Sequence, residues 1–407
     1  MKKVVDVSLL VGPVHPCFKE PLRIKCETAG ERILRTEVEL GYVKKGIEKI
    51  MVGRPWQETM FLAERVCGIC SVVHNTAIVG ALEAISGIAV PRRAQLLRII
   101  LNELDRMQSH LLANYSYCYT IEHETLAMYL LNLRETVMDA IEKMTGTRIM
   151  SAYVVPGGVR EDVSDAVLAD ILSALDKVER ELKRYVKMFE TGKLIALRSK
   201  GIGILSVEDA KASGVVGPTA RASGMECDAR ANEQLYVELG WHMITRPEGD
   251  NFARIMLRFD ELFQSSSIVR NAIGKLEAGP IRLGGKVTAG HVKHTIEAPR
   301  GDLTYDIAVD ENGEVKKEKV TVQQPYFKVT SVFDVSQTDG KPLPELDTVH
   351  DLTDSVEGYN IFFEALKRTS KVPIDFQPIE GGSHGFYHQV EKRIAIAEGM
   401  SQAQNVK

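Results

Sequence analysis

Two thiols open the question of chemistry. In "ERVCGICSVVH", residues 64–74, Cys67 and Cys70 stand three apart, with Arg65 before them and His74 four residues beyond the second. Such a pair serves as half of a zinc site, part of an iron–sulfur site, a redox dithiol, or half of a thiolate cage for a redox metal. His74 could add a third donor. No second C-x-x-C or H-x-x-x-H completes a zinc set, and a four-cysteine cluster would need Cys17, Cys26, Cys118 or Cys227 to converge in space. Two buried cysteines acting as small apolar side chains is the bland alternative. Arg65 beside the pair would favour a thiolate, so the spacing points to a redox dithiol.

The elements that must position this pair can be read from periodicity. Leu22, Ile24 and Cys26 alternate with Arg23, Lys25 and Glu27, and after an Ala-Gly-Glu turn Leu34, Thr36, Val38 and Leu40 alternate with charged residues. That predicts an antiparallel hairpin with one wet face. From about residue 57 the period becomes helical. Leu97, Ile100, Leu101, Leu104 and Leu111 form one stripe after Pro91, and further helices are expected near 125–144, 163–190 and 250–275. Helices of this length pack as a bundle, each burying a stripe. Strands return near 303 with Leu303, Tyr305, Ile307 and Val309, and Asn312-Gly313 marks a hairpin turn. The predicted class is α+β, a central long-helix bundle with small flanking antiparallel sheets. It divides into an N-terminal β region (1–56), a helical core (57–300), and a hairpin with a C-terminal tail (301–407).

Composition narrows the partners. The chain has 407 residues, 44% hydrophobic and 26% charged, with a net charge of −4, which gives no electrostatic reason to expect nucleic acid. No run of eighteen apolar residues occurs, and the lysines at the start do not introduce a secretory signal. A cytoplasmic location follows, where six cysteines in so long a chain stay as thiols. Abundant Lys and Glu are compatible with a hyperthermophile source.

Seven segments occur in an order similar to that of the large subunits of membrane-bound nickel–iron hydrogenases: "GPVHPCFKEPLRI", "LGYVKKGIEKIM", "ERVCGICSVVHNTA", "VPRRAQLLRIILNELDRMQSHLL", "VVPGGVRED", "VGPTARASG" and "EAPRGDLTY". The core subunit of respiratory complex I shares much of this framework. The resemblance runs to about residue 330 and implies the hydrogenase large-subunit fold. In the hydrogenases the first C-x-x-C supplies two of four thiolates that hold nickel and iron, and a C-terminal D-P-C-x-x-C after a segment like "VQQPYF" supplies the others. Here no cysteine follows Phe327, and the nearest repeat of the spacing is Asp351 and Asp354 in "HDLTDS". Carboxylates are poor replacements for soft thiolates, so a standard nickel–iron centre is not expected. Complex I core subunits lack the first cysteine pair. They also carry a second His in "GPxHPxxHG", where this chain has Lys19 and Glu20.

One branch of the family resembles this half-retained site: ferredoxin-driven, ion-pumping sulfane sulfur reductases. The resemblance implies electrons from ferredoxin through a 4Fe-4S cluster in a partner small subunit. Other peripheral subunits and membrane ion pumps would complete a complex on the cytoplasmic face of the membrane. It also implies reductive cleavage of polysulfide at Cys67 and Cys70. Carried over residue by residue, Glu20 matches the proton-relaying glutamate, and Arg300 matches the arginine above the metal site, here able to hold an anionic polysulfide. His74 would hydrogen-bond a thiolate or carry a proton. Arg106 and His110 share a helix face as packing or subunit-contact residues, and His384 and His388 read as a surface pair. Competing readings are a hydrogen-evolving enzyme with an altered metal site, a quinone or phenazine reductase, and a non-catalytic coupling subunit.

Overall fold

The computed structural model describes residues 7–14, 23–29, 32–40, 45–323 and 374–378. The helical period of the middle of the chain becomes a bundle of long helices. Three short elements lead into it: α1 (Ile47–Met51), α2 (Trp56–Ala63) and α3 (Ser71–Ser86). The bundle proper comprises α4 (Arg92–Thr120), α5 (Glu124–Thr145) and α6 (Asp165–Thr191), then short helices α7 (Lys193–Ser199), α8 (Val207–Ser213), α9 (Gly217–Arg221) and α10 (Gln234–Glu238), and finally α11 (Asn251–Gly274). Each long helix starts where the sequence offers a cap. Pro91 precedes α4 in extended conformation, Ser164 accepts a hydrogen bond from the Val167 amide at the start of α6, and Asp250 does the same for Ala253 in α11.

Burial separates two kinds of helix. On α6 only the stripe Leu168, Ile171, Leu175, Val178, Leu182, Tyr185 and Phe189 is buried, so it is an outer wall. Val167, Ala174 and Val186 flank this stripe and are only partly covered. In contrast, α4 and α11 bury nearly every side chain along their middles, polar ones included. Helix α4 packs on α5 and α11, and α6 closes the group against α5 and α11.

Three sheets flank the bundle. Strands β1 (Val7–Val11), β2 (Arg23–Ala29) and β3 (Arg32–Leu40) form the expected hairpin region, and a parallel strand far along the chain, Ile374–Pro378, adds to β3 with Thr36 opposite Ile374. Ile24 and Cys26 are buried, as alternation requires. A minimal hairpin follows, β4 (Val154–Val155) with β5 (Gly158–Val159). The third sheet is β6 (Gly290–Ala298), β7 (Gly301–Val309) and β8 (Val315–Gln323), all antiparallel, with β7 central and α3 packed on β6 and β7. Gly313 turns β7 into β8 at φ 81°, a left-handed conformation glycine adopts without strain. β6 pairs with β7 throughout, so this sheet crosses the boundary at residue 300 expected from the sequence.

Candidate active site

The cysteine pair lies in the short loop between α2 and α3, and Cys70 is the residue that precedes the first turn of α3. Placed there, a thiolate faces the positive end of the helix dipole. Lys45 holds the approach, its Nζ donating to the carbonyl of Arg65 at 3.0 Å. Cys70 Sγ donates to Cys67 Sγ at 2.7 Å, and the Cys70 backbone N–H also meets Cys67 Sγ at 3.4 Å. Arg300, in the tight turn between β6 and β7, brings Nη1 to 3.4 Å from Cys70 Sγ and 3.9 Å from Cys67 Sγ.

The pair therefore titrates as a unit. The hydrogen bond from Cys70, then Arg300, pulls Cys67 well below an ordinary thiol, while that same bond and burial push Cys70 well above it. One proton leaves readily and the second is held. Burial raises the Cys118 thiol out of reach, and burial with nearby carboxylates, against Arg221, lifts Cys227 to about 11, so neither is a ready nucleophile. Arg65 is not the activating cation expected from its position in sequence. Its Nη1 donates to the Phe61 carbonyl at 2.6 Å and lies 3.4 Å from Glu64, because α2 turns its side chain back along the helix. Arg300, far along the chain, takes that place.

His74 lies fully inside, one turn into α3, with Nδ1 2.8 Å from the hydroxyl of Tyr305 on β7. Burial depresses its pKa to about 4 and raises that of Tyr305. A neutral imidazole that accepts the tyrosine O–H keeps Nε2–H as a donor. Donor atoms of Cys67, Cys70 and His74 lie within 4.8 Å of one another. These three could hold one soft ion. They do not fit a nickel–iron centre. Among the described residues no further thiol joins them, since Cys26 lies in β2, Cys118 in the apolar core and Cys227 apart from the group.

Two glycines fix Arg300. Gly217, at φ +68°, lies so close to the Arg300 turn that a Cβ there would stand 2.1 Å from the Arg300 carbonyl oxygen. Gly301, at φ +124°, approaches Gly217 from the other side, where its own Cβ would lie 2.7 Å from the Gly217 nitrogen. The segments "VGPTA" and "EAPRG" thus meet backbone to backbone. Beneath them Arg106, fully buried on α4, donates to the carbonyls of Glu297 (2.9 Å) and Ala298 (3.1 Å). His110 donates Nε2–H to Glu261 at 2.7 Å. Burial depresses the pKa of His110, too, to about 4.

These two histidines set an acid limb of stability. Each has its folded pKa below the unfolded value near 6.5, so its contribution is present above about pH 6.5 and is lost as pH falls toward 4, by up to about 3 kcal/mol each. His110→Gln, which retains a donor for Glu261, should flatten that limb in melts run from pH 7 to 4. An unchanged slope would contradict the assignment.

Glu20, Asp351, Asp354, His384 and His388 lie outside the described residues. Sequence reasoning passed over Asp105, Gln108 and Tyr305. The signal for the first two was the polar run in "NELDRMQSHL", set within a helix whose apolar stripe is otherwise regular. Gln108 Nε2 donates to the Asp105 carboxylate at 3.0 Å and to the carbonyl of Ile69, the residue before Cys70.

A long-helix bundle carrying a cysteine pair under an arginine turn defines an oxidoreductase core subunit of hydrogenase type. Residues 45–119 match the nickel-dependent hydrogenase family and residues 121–284 match the respiratory-chain NADH dehydrogenase 49 Kd subunit. A subunit of the F(420)H(2) dehydrogenase of Methanosarcina mazei is 34% identical over 334 residues, covering 79% of this chain and 89% of the relative. Membrane-bound hydrogenase subunit alpha of Pyrococcus furiosus is 34% identical over 325 residues, 75% and 76% of the two chains. A solved structure of the membrane-bound sulfane sulfur reductase (MBS), an archaeal respiratory membrane complex, superimposes with a TM-score of 0.72 at 27% identity, covering 78% of this chain and 88% of that one. The chain belongs to the family of hydrogenase large subunits and complex I 49 Kd subunits.

Proposed function

We propose that this chain is the catalytic subunit of a ferredoxin-dependent, ion-pumping membrane complex that reduces sulfane sulfur. What supports the reading is one observation: a lowered-pKa thiolate, its partner thiol and a guanidinium share a buried pocket that has too few sulfur donors for a nickel–iron centre. The likeness to the solved reductase agrees with it. Among the described residues no helix is long and apolar enough to cross a membrane, so the chain would sit as a peripheral subunit, on the cytoplasmic face in this reading. Its electrons would come from an iron–sulfur cluster of a partner small subunit.

The chemistry balances. Cys67 thiolate attacks a sulfur of the polysulfide, forming an S–S bond and breaking one in the substrate, and the shortened polysulfide leaves with the electron pair. Cys70 then attacks Cys67 Sγ, expelling the bound sulfur as hydrosulfide, which takes the Cys70 proton. Two electrons and one proton return the Cys67–Cys70 disulfide to thiolate and thiol. Arg300 would hold the anionic chain over the sulfurs, His74, within 4.8 Å of them, would face the thiolate with its free ring nitrogen, and Glu20 would serve proton supply.

The test uses the purified intact complex. Hydrosulfide release with polysulfide and reduced ferredoxin, in a preparation without stoichiometric nickel, is the expected result. One nickel per complex with hydrogen evolution and no polysulfide turnover would replace this reading with that of a hydrogenase.

A further inference from the structure

Resting on that reading, we infer that Asp105 is the proton donor that restores the Cys70 thiol in each cycle. Reducing the disulfide takes up one proton, which must reach Cys70, a residue only 7% exposed. Asp105 lies on α4 with its side chain buried, and its Oδ1 accepts from Gln108. Its Oδ2 is buried with no hydrogen-bond partner, although a carboxylate so placed needs one. The Gln108 amide bridges this carboxyl to the Ile69 carbonyl in the cysteine loop, and Arg134 of α5 fixes that amide through its Oε1 at 2.8 Å.

The charged groups that act on Asp105 come from four sides: Cys67 on its loop, Arg300 on the β6–β7 turn, Arg106 one residue along α4, and Arg134 on α5. Cys70 in turn responds to Asp105. Burial is the main cause that lifts the Asp105 carboxyl to about 7, so a large share of it is protonated near neutral pH and can give the proton up. Beyond Arg134 the polar groups continue outward: Glu135 lies 3.7 Å from Arg134 and bonds Arg148, which holds Asp139 at 2.9 Å. That strip ends in half-exposed side chains and holds the Gln108 amide in place, while the proton that reloads Asp105 comes from solvent.

The step is an acid–base exchange coupled to reduction. The disulfide takes two electrons, the Cys67–Cys70 bond breaks, and the Asp105 proton goes to Cys70 Sγ while Cys67 leaves as thiolate. The two attacks that precede it need no outside proton. Asp105→Asn should therefore leave the first burst intact, one hydrosulfide per reduced complex on mixing with polysulfide. Steady turnover should fall by roughly 10–100-fold. In the native complex turnover declines as pH rises through about 7, and in Asp105→Asn that limb should be gone. Asp105→Glu should recover part of the rate. If Asp105→Asn does not fold, infrared difference spectra of the native complex replace it, with a protonated-carboxyl band expected in the oxidised state and lost on reduction.

Native rate and pH profile in Asp105→Asn, or no such band, would overturn the assignment. Absence of the hydrosulfide burst in the native complex would instead sink the sulfur-reductase reading. Asp105 would then stand or fall on whether Asp105→Asn shifts the pH at which Cys70 is alkylated.

Discussion

Cys67→Ser should lower polysulfide turnover by about 10³-fold or more, while Cys70→Ala should stop the cycle one step later with a persulfide on Cys67. The asymmetry follows from geometry. Cys67 is the partly exposed sulfur and accepts from the Cys70 thiol, the Cys70 amide and Arg300, whereas Cys70 is 7% exposed. Because the bond from Cys70 is the largest cause of the lowered Cys67 pKa, Cys70→Ala should also move Cys67 alkylation to higher pH. Mass spectrometry after a single addition of polysulfide checks the first claim, and the pH dependence of alkylation checks the second. Undiminished turnover in Cys67→Ser, or Cys70 reacting first with the alkylating agent, would defeat the assignment of roles.

Arg221→Met is expected to produce the largest loss of stability, about 3–5 kcal/mol. At the end of α9, Arg221 is fully buried and meets three carboxylates: Glu261 at 2.8 Å, Glu297 at 2.9 Å and Asp228 at 3.2 Å. Arg230 shares Asp228 at 2.7 Å and faces Glu103, which also accepts from Ser265 and Tyr236. Removing one guanidinium leaves several acids inside the bundle with too little positive charge, and no water can replace it. Thermal melts should show the midpoint fall by roughly 4–6 °C. Arg221→Met combined with Glu261→Leu should recover part of the loss, since a buried pair replaced by apolar groups costs less than one partner stranded. A surface-like effect below about 1 kcal/mol would mean that the network is hydrated in solution.

How far the sequence reached can be judged at particular residues. Helix limits near 125–144, 163–190 and 250–275 lay close to the observed spans, since apolar period and caps are local signals. The burial of Leu97, Ile100, Leu101, Leu104 and Leu111 was readable for the same reason. Arg65 misled, because adjacency in sequence says little about where a long side chain points once a helix turns. Arg300 was reachable only through the resemblance, as its approach to the sulfurs depends on a close meeting of Gly217 and Gly301 that no local pattern encodes. Asp105 was hidden for another reason. A polar residue on a helix reads as solvent-facing until the tertiary fold wraps a second and third helix around it. The parallel partner of β3 was equally invisible, since strands so far apart along the chain leave no common local mark.

The polar belt of α4 has a consequence for how the subunit is made. Glu103 finds its partners 127, 133 and 162 residues away, and Arg106 clasps carbonyls 191 and 192 residues away. Until those late segments leave the ribosome, the belt has only neighbours such as Arg106 beside Glu103, Arg134 of α5, and water to bind, and burying it early would strand most of its charges. Such non-local closure is slow, and it leaves a half-built bundle exposed to aggregation. Pulse-labelled amides in the middle of α4 should therefore gain protection together with β6, not with α5, so the thiol pocket is among the last parts of the subunit to close.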